Sequence, residues 1–371
     1  MAAPKKVAGG IDDSEQDSAG AEDLTDDEVA SLVLPQSWTR LDRFAVAVSR
    51  QALRGWVKQP SPSCAAASLA GVLNVLHNYP REDPRAYSCM GVLEVFRQLF
   101  RDKIHRQKTL MELRLGQPIA PLEAAVVQSL ATDGLELGGV GNNKVAKNVL
   151  RRHVFASIER GYTTAASHEL YGVLHDALST SSADEEPPRD DMDDDLPGSD
   201  AAASSVWWRA SLGAYFHRLD GLAKLERQHK PSTAICGNQT LIEGVNLIFS
   251  TASESPLSTL RARYFMGKRL RGVRIQHELE PSDTATGRDA DVWRALWSAF
   301  TAHDTALLFH LTNHYALIFA LREWVDADGA PVRQVLTSRK GQRPSAWLDW
   351  AEVYAVLLGW SGYRVLAFQK T

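Results

Sequence analysis

The stretch "DTALLFHLTNHYALIFALREWVD", residues 304–326, constrains the fold more than any other part of the chain. It is rich in Leu, Phe, Ile and Tyr, is broken by the polar pair Thr312 and Asn313, and runs into "DADGAP", a turn signal. The next run, "VRQVLTSRKG", alternates apolar and polar residues, which predicts an antiparallel hairpin. "YRVLAFQ" reads as a final strand, "LRGVRIQHELEP" as an earlier one, and "ADVWRALWSAFTAHD" and "SAWLDWAEVYAVLLG" as helices. The first half has helical spacing instead. In "CAAASLAGVLNVLHNY" Leu69, Val72, Leu73 and Leu76 fall on one face; "MGVLEVFRQLFRDKIH" repeats the pattern with Val92, Val95, Phe96, Leu99 and Phe100. "APLEAAVVQSLATDG", "KVAKNVLRRHVFASIERG", "SHELYGVLHDAL" and "VWWRASLGAYFHRLDGLAKLE" add further helices. Helices first, then an antiparallel sheet carrying a late helix, predict an α+β fold.

Two acidic segments interrupt this pattern. Residues 1–30 carry a formal charge of −7 and residues 180–200 a charge of −8, which leaves +11 on the remainder of a chain whose net charge is −4. Both segments are poor in aromatics and cannot bury enough apolar surface to offset the entropy of ordering. The expected organisation is a disordered acidic tail over 1–32 and an ordered region over 33–371, interrupted by a disordered acidic insertion at about 179–205. The mildly basic body is compatible with an acidic protein partner or with simple solubility; it contains no block of consecutive basic residues, so nucleic acid is not the expected ligand. No segment approaches the roughly 20 apolar residues of a membrane span, and the N-terminus lacks the apolar stretch of a secretory signal. A cytoplasmic or nuclear location, with no membrane partner, follows as the expectation. The three cysteines, Cys64, Cys89 and Cys236, show neither CxxC nor zinc-ligand spacing, so free thiols, no metal and no cofactor are expected.

Cys64 stands where "QPSPS" gives way to a helix, with Ser61 or Ser63 as candidate N-caps. A helix N-terminus favours a thiolate, so Cys64 is either a nucleophile or a small residue packed in a core. His314 opens an apolar strand far downstream, where an imidazole is either a general base or a core histidine satisfied by a carbonyl. Taken together they suggest a nucleophile and its base.

These segments carry a resemblance. "QPSPSCAAASLAGVLNVL" followed by "NHYALIFAL" resembles the papain-like cysteine peptidases, especially their bacteriocin-peptidase and phytochelatin-synthase branches, in which a Cys-led helix precedes a His-led strand. "TLMELRLGQPIAPLEAAVVQSL" resembles the helical segment after the nucleophile helix there. More closely, "HYALIFALREW", "LTSRKGQRPSAWLDWAEV" and "GYRVLAFQ" resemble the basic immunoglobulin-like variable motif-containing protein family, over residues 56–370 apart from the acidic insertion. The resemblance implies a papain-like α+β domain with Cys64 as nucleophile, His314 as base, and Gln59 with the Cys64 N–H as oxyanion donors, although the superfamily's glutamine usually lies one residue farther from the cysteine. It also implies an Asp or Asn on the strand after the histidine; this chain offers Thr337 and Ser338 there, with Asp349 as a nearby alternative and Asp326 and Asp328 reading as turn residues. Ala65 stands where many relatives carry Gly.

The expected activity is that of a thiol hydrolase acting on an amide, peptide or isopeptide bond of a peptide or protein substrate. The alternative is a catalytically silent fold that binds a protein partner. Candidate cleft or binding residues are Asn238 and Gln239, in a segment that otherwise reads as a structural turn, Asn313, and the basic loop with Arg339, Lys340 and Arg343. "LGGVGNN" lacks the context of a nucleotide loop, and Trp207 and Trp208 read as core or interface anchors.

Overall fold

The computed structural model describes residues 25–34, 42–59, 62–141, 144–164, 169–179, 205–251, 260–283, 287–312, 314–338 and 342–370. Most of the acidic insertion, with Asn313, Arg339 and Lys340, lies outside them. In chain order the elements are α1 (Asp26–Val33), β1 (Asp42–Val48), α2 (Arg50–Gly55), α3 (Cys64–His77), α4 (Cys89–Leu115), α5 (Ala120–Thr132), α6 (Lys144–Thr164), α7 (Glu169–Ser179), α8 (Ser205–Leu225) and α9 (Asn238–Thr251). There follow β2 (Leu260–Lys268), β3 (His277–Leu279), α10 (Asp289–Thr301), β4 (Thr305–Leu311), β5 (His314–Val325), β6 (Pro331–Thr337), β7 (Ala346–Asp349), α11 (Trp350–Gly359) and β8 (Arg364–Lys370). The fold is α+β.

The strands form one sheet in the order β3-β2-β8-β4-β5-β6-β7, with β1 beside β5. Every pairing is antiparallel except β2 with β3. The 12-residue β5 organises the sheet: its first residues pair with β4, the residues from Ala320 onward pair with β1, and β6 runs along its other edge. Alternation along β5 sends Leu317 and Phe319 into a core shared with α3, α4 and α9, and Ile318 and Leu321 into a core shared with α10 and α11. A third core lies among helices, where Trp207 and Trp208 pack edge to face against each other and Arg114 stacks 3.9 Å over Trp207.

Several expectations are corrected. Residues 26–32 are helical rather than disordered, because Thr25 and Glu28 form a reciprocal capping box at the start of α1. That helix is docked at its other end, where Arg322 and Trp347 donate to the carbonyls of Val33 and Leu32 at 2.8 and 2.9 Å. The first half also contains a strand, β1, whose short alternation in "DRFAVAV" is completed only by pairing with β5. "LRGVRIQHELEP" supplies a mere three-residue strand, while the longer β2 precedes it. The segment at Asn238 is the start of a 14-residue helix, and "AWLD" pairs as β7 before α11 begins. In the "LGGVG" part of residues 137–143 the Gly138 N–H donates to Asp220 at 2.8 Å, and an added Cβ at Gly138 would lie 3.1 Å from that of Ala223. Among the described residues no helix is long and apolar enough to cross a membrane.

The helix α3 is buried on nearly every side, from Ala65 through Asn74. Its small residues allow close approach: an added Cβ at Gly71 would meet Leu317 of β5 at 3.0 Å. Its one strongly polar buried residue, Asn74, donates to the carbonyls of Gly55 and Tyr87 at 3.3 and 3.1 Å and accepts from the Tyr87 N–H at 2.7 Å. These bonds tie α2 and the loop before α4 to α3. Replacing Asn74 with Ala strands those backbone groups in the interior and opens a small cavity, so a loss of about 2–4 kcal/mol is expected in urea unfolding. A change below about 0.5 kcal/mol would contradict this role.

Candidate active site

Cys64 is the first residue of α3 and is partly buried. Ser63 occupies the N-cap position without a side-chain cap bond; the cap comes instead from Thr233, whose hydroxyl accepts from the Ala65 N–H at 3.3 Å. The loop before α9 therefore reaches across to fix the start of α3. Burial pushes the Cys64 thiol above its usual value, and it outweighs the N–H groups of Tyr315, Ala65 and Cys64 and the Thr233 hydroxyl, all of which favour the thiolate. The sequence-based expectation was a lowered value. At this helix start desolvation exceeds the dipole and amide contribution.

Tyr315, whose N–H faces the Cys64 sulfur, directly follows His314. Adjacent α-carbons are about 3.8 Å apart, so the imidazole is anchored one residue from the amide that meets the thiol. The β4–β5 turn holds it there, with Thr312 in the left-handed region at φ 50° and Leu311 paired to His314. Burial lowers the His314 pKa, and a backbone hydrogen bond with Ser338 acts in the opposite direction. Nε2 is buried without a hydrogen-bond partner, so Cys64 does not bond that nitrogen in this structure. Both shifts favour the neutral forms, thiol and imidazole.

The expected third side chain is not found at any of its candidate positions. The Thr337 hydroxyl donates to the Leu317 carbonyl at 3.0 Å, and Ser338 meets His314 through its main chain. Asp349 accepts from Gln334 at 2.6 Å, three register positions from the Thr337–Ala346 pair. The imidazole is thus oriented by backbone, which no residue-type motif encodes.

Gln59 lines a recess of about 260 Å³, including the open space at its mouth, together with Trp56, Val57, Ser68, Tyr315, Leu317 and Ser338. It shares that recess with residues that touch both halves of the pair, since Ser338 meets His314 and Tyr315 meets Cys64. The Ser68 hydroxyl donates to the Tyr315 carbonyl at 2.9 Å and pins β5 to α3. Asn238 and Gln239 support this arrangement from behind. Asn238 accepts from the Tyr315 hydroxyl at 2.9 Å and donates to the Gly362 carbonyl at 2.9 Å, while Gln239 accepts from Tyr264 at 3.1 Å.

Sequence reading missed His310. It stacks on Tyr315 with ring centroids 4.2 Å apart, and its Nδ1 lies 3.0 Å from the Gly362 carbonyl. The available signal was its position: in the sequence His310 and Tyr315 stand equally far from the polar pair Thr312 and Asn313, and they become direct partners. A second grouping, Ser129, His153 and Asp133, has the residue types of a hydrolase triad, with Ser129 Oγ 2.9 Å from His153 Nδ1. Ser129 and His153 are only 4% and 5% exposed, and they join α5 to α6 within the helical core. Cys89 and Cys236 are buried, the former with its sulfur 3.6 Å from the Ser63 hydroxyl. Among the described residues no group of three or more His, Cys, Asp or Glu side chains is placed to hold a metal ion. No family model, curated protein or solved structure matches the chain.

Buried histidines give the protein a defined acid response. Burial lowers His310 to about 4 and His217 to about 4, with neighbouring cations contributing to both, and it also lowers His77, His277 and His314. The unfolded chain binds these protons near pH 6.5 and the native protein does not, so their contribution is present above about 6.5 and is lost as the pH falls toward 4. Urea midpoints are expected to drop across that window, less steeply in His310→Gln. An identical slope in that variant would contradict the assignment to His310.

Proposed function

We propose that the chain is a papain-like thiol hydrolase acting on an amide, peptide or isopeptide bond. The observation that carries this reading is the meeting of the Cys64 sulfur, at the first residue of a buried helix, with the amide of the residue bonded to His314. The free, buried Nε2 supports it, because that nitrogen has no structural partner to lose.

The reaction starts from the neutral pair. As Cys64 sulfur attacks the carbonyl carbon, His314 Nε2 takes the thiol proton, so no standing thiolate is required. The Cys64 N–H and the Gln59 amide donate to the oxyanion of the tetrahedral intermediate. Its collapse breaks the C–N bond, and the imidazolium returns its proton to the leaving amine. Water, deprotonated by the same histidine, then cleaves the thioester. The Ser338 carbonyl holds the imidazole in place of the usual Asp or Asn.

A second reading, a silent papain-like module that binds a protein partner, is favoured by the upward shift of the Cys64 thiol and by the lack of a carboxylate on His314. Incubation with p-nitrophenyl acetate separates the two. The hydrolase reading expects acetylated Cys64 by mass spectrometry and a nitrophenol release rate that falls about 100-fold or more in Cys64→Ala and His314→Ala. Ser338→Ala is expected to remain near wild type, since only its main chain acts. Release unchanged in Cys64→Ala, with no acyl adduct in the wild type, would leave the binding module.

A further inference from the structure

Arg364, at the start of β8, is only 1% exposed. Its Nη1 donates to the Lys268 carbonyl at 3.4 Å, and its guanidinium lies 5.2 Å from the centroid of the Tyr264 ring. Nη2 is buried with no hydrogen-bond partner, and the group that favours the guanidinium electrostatically is the Tyr264 ring rather than a carboxylate. A cation withdrawn from water with an unused donor is unfavourable unless an anion completes it.

The sheet register fixes its surroundings. Arg364 pairs with Gly267 on one side and His310 on the other, and His310 pairs with Tyr315. Directly paired residues share a face, and this face meets the first turn of α9, where Tyr264 and Tyr315 bond Gln239 and Asn238. The face therefore brings together a guanidinium and a helix N-terminus, whose amides favour anions. Glu243, farther along α9, is engaged by Lys103 at 2.7 Å. A bare Gly267 leaves room for the guanidinium, since an added Cβ there would lie 3.2 Å from Arg364 Cγ. A short turn, with the Tyr363 N–H donating to the Trp360 carbonyl at 3.1 Å, covers His310; Trp360 is 39% exposed.

We propose that Arg364, with the first turn of α9, forms a subsite for an oxyanion, carboxylate or phosphate, reached by displacement of the turn at Trp360. Arg364 lies two strands from Tyr315, roughly 10 Å at the usual strand spacing. On the thiol-hydrolase reading, on which only this consequence rests, the substrate carries an anionic group about that far from the attacked carbonyl.

The test is calorimetric titration of the full chain with inorganic phosphate and, separately, with N-acetylglycinate, at constant ionic strength maintained with chloride. Saturable binding of either anion is expected, weakened about tenfold or more in Arg364→Met and also weakened in Arg364→Lys, which keeps the charge but loses the planar fork. Which anion binds identifies the source of the oxyanion. No saturable binding of either, or unchanged affinity in either folded variant, overturns the proposal. Binding is read without turnover, so this result is independent of whether Cys64 is catalytic.

Discussion

The contact between α3 and β5 sets the rest of the molecule. Gly71 lets Leu317 approach the helix, Ser68 bonds the Tyr315 carbonyl, and the Tyr315 amide turns toward Cys64. Few side chains would permit such proximity. The helix is built from Ala, Gly and Ser along this face, and its close packing excludes water from the sulfur. The same packing that positions the Cys64 thiol therefore also suppresses its ionisation.

That conflict defines the chemistry available. A pair exposed to solvent would exchange a proton beforehand and wait as thiolate and imidazolium; a buried pair held neutral must move the proton during attack. Backbone groups carry much of the polar work: Tyr315 and Ala65 face the sulfur, and Ser338 faces the imidazole. Behind them, Tyr315 is clamped between the His310 ring and the Asn238 amide. The site is thereby braced by a row of side chains that continues across the sheet to Arg364.

Much of the frame was legible in the sequence because it follows local periodicity. The β4–β5–β6 run, the helix beginning at Cys64 and the long helix after it were read from spacing and turn residues. The strands β1 and β2 were not, since each is short or mixed in pattern and gains its identity from a partner distant in the chain. The start of α9 resembled a turn because its first residues, Asn238 and Gln239, are polar for tertiary reasons: they bond Tyr315 and Tyr264. Within the site, Cys64, His314 and Gln59 were visible as residue types in characteristic places. The bond between His314 and the Ser338 main chain was not, because every residue has the same backbone groups. Nor was the sign of the Cys64 shift, which depends on how much water the folded chain removes.

The central claim is that Cys64 and His314 act as one chemical unit despite the burial that keeps both neutral. Alkylation by iodoacetamide across pH, followed at each cysteine by peptide mass spectrometry, addresses it directly. The account predicts that Cys64 reacts faster than buried Cys89 and Cys236 near neutral pH and that His314→Ala removes this advantage. Equal rates at all three thiols, or a Cys64 rate indifferent to the loss of His314, would contradict it.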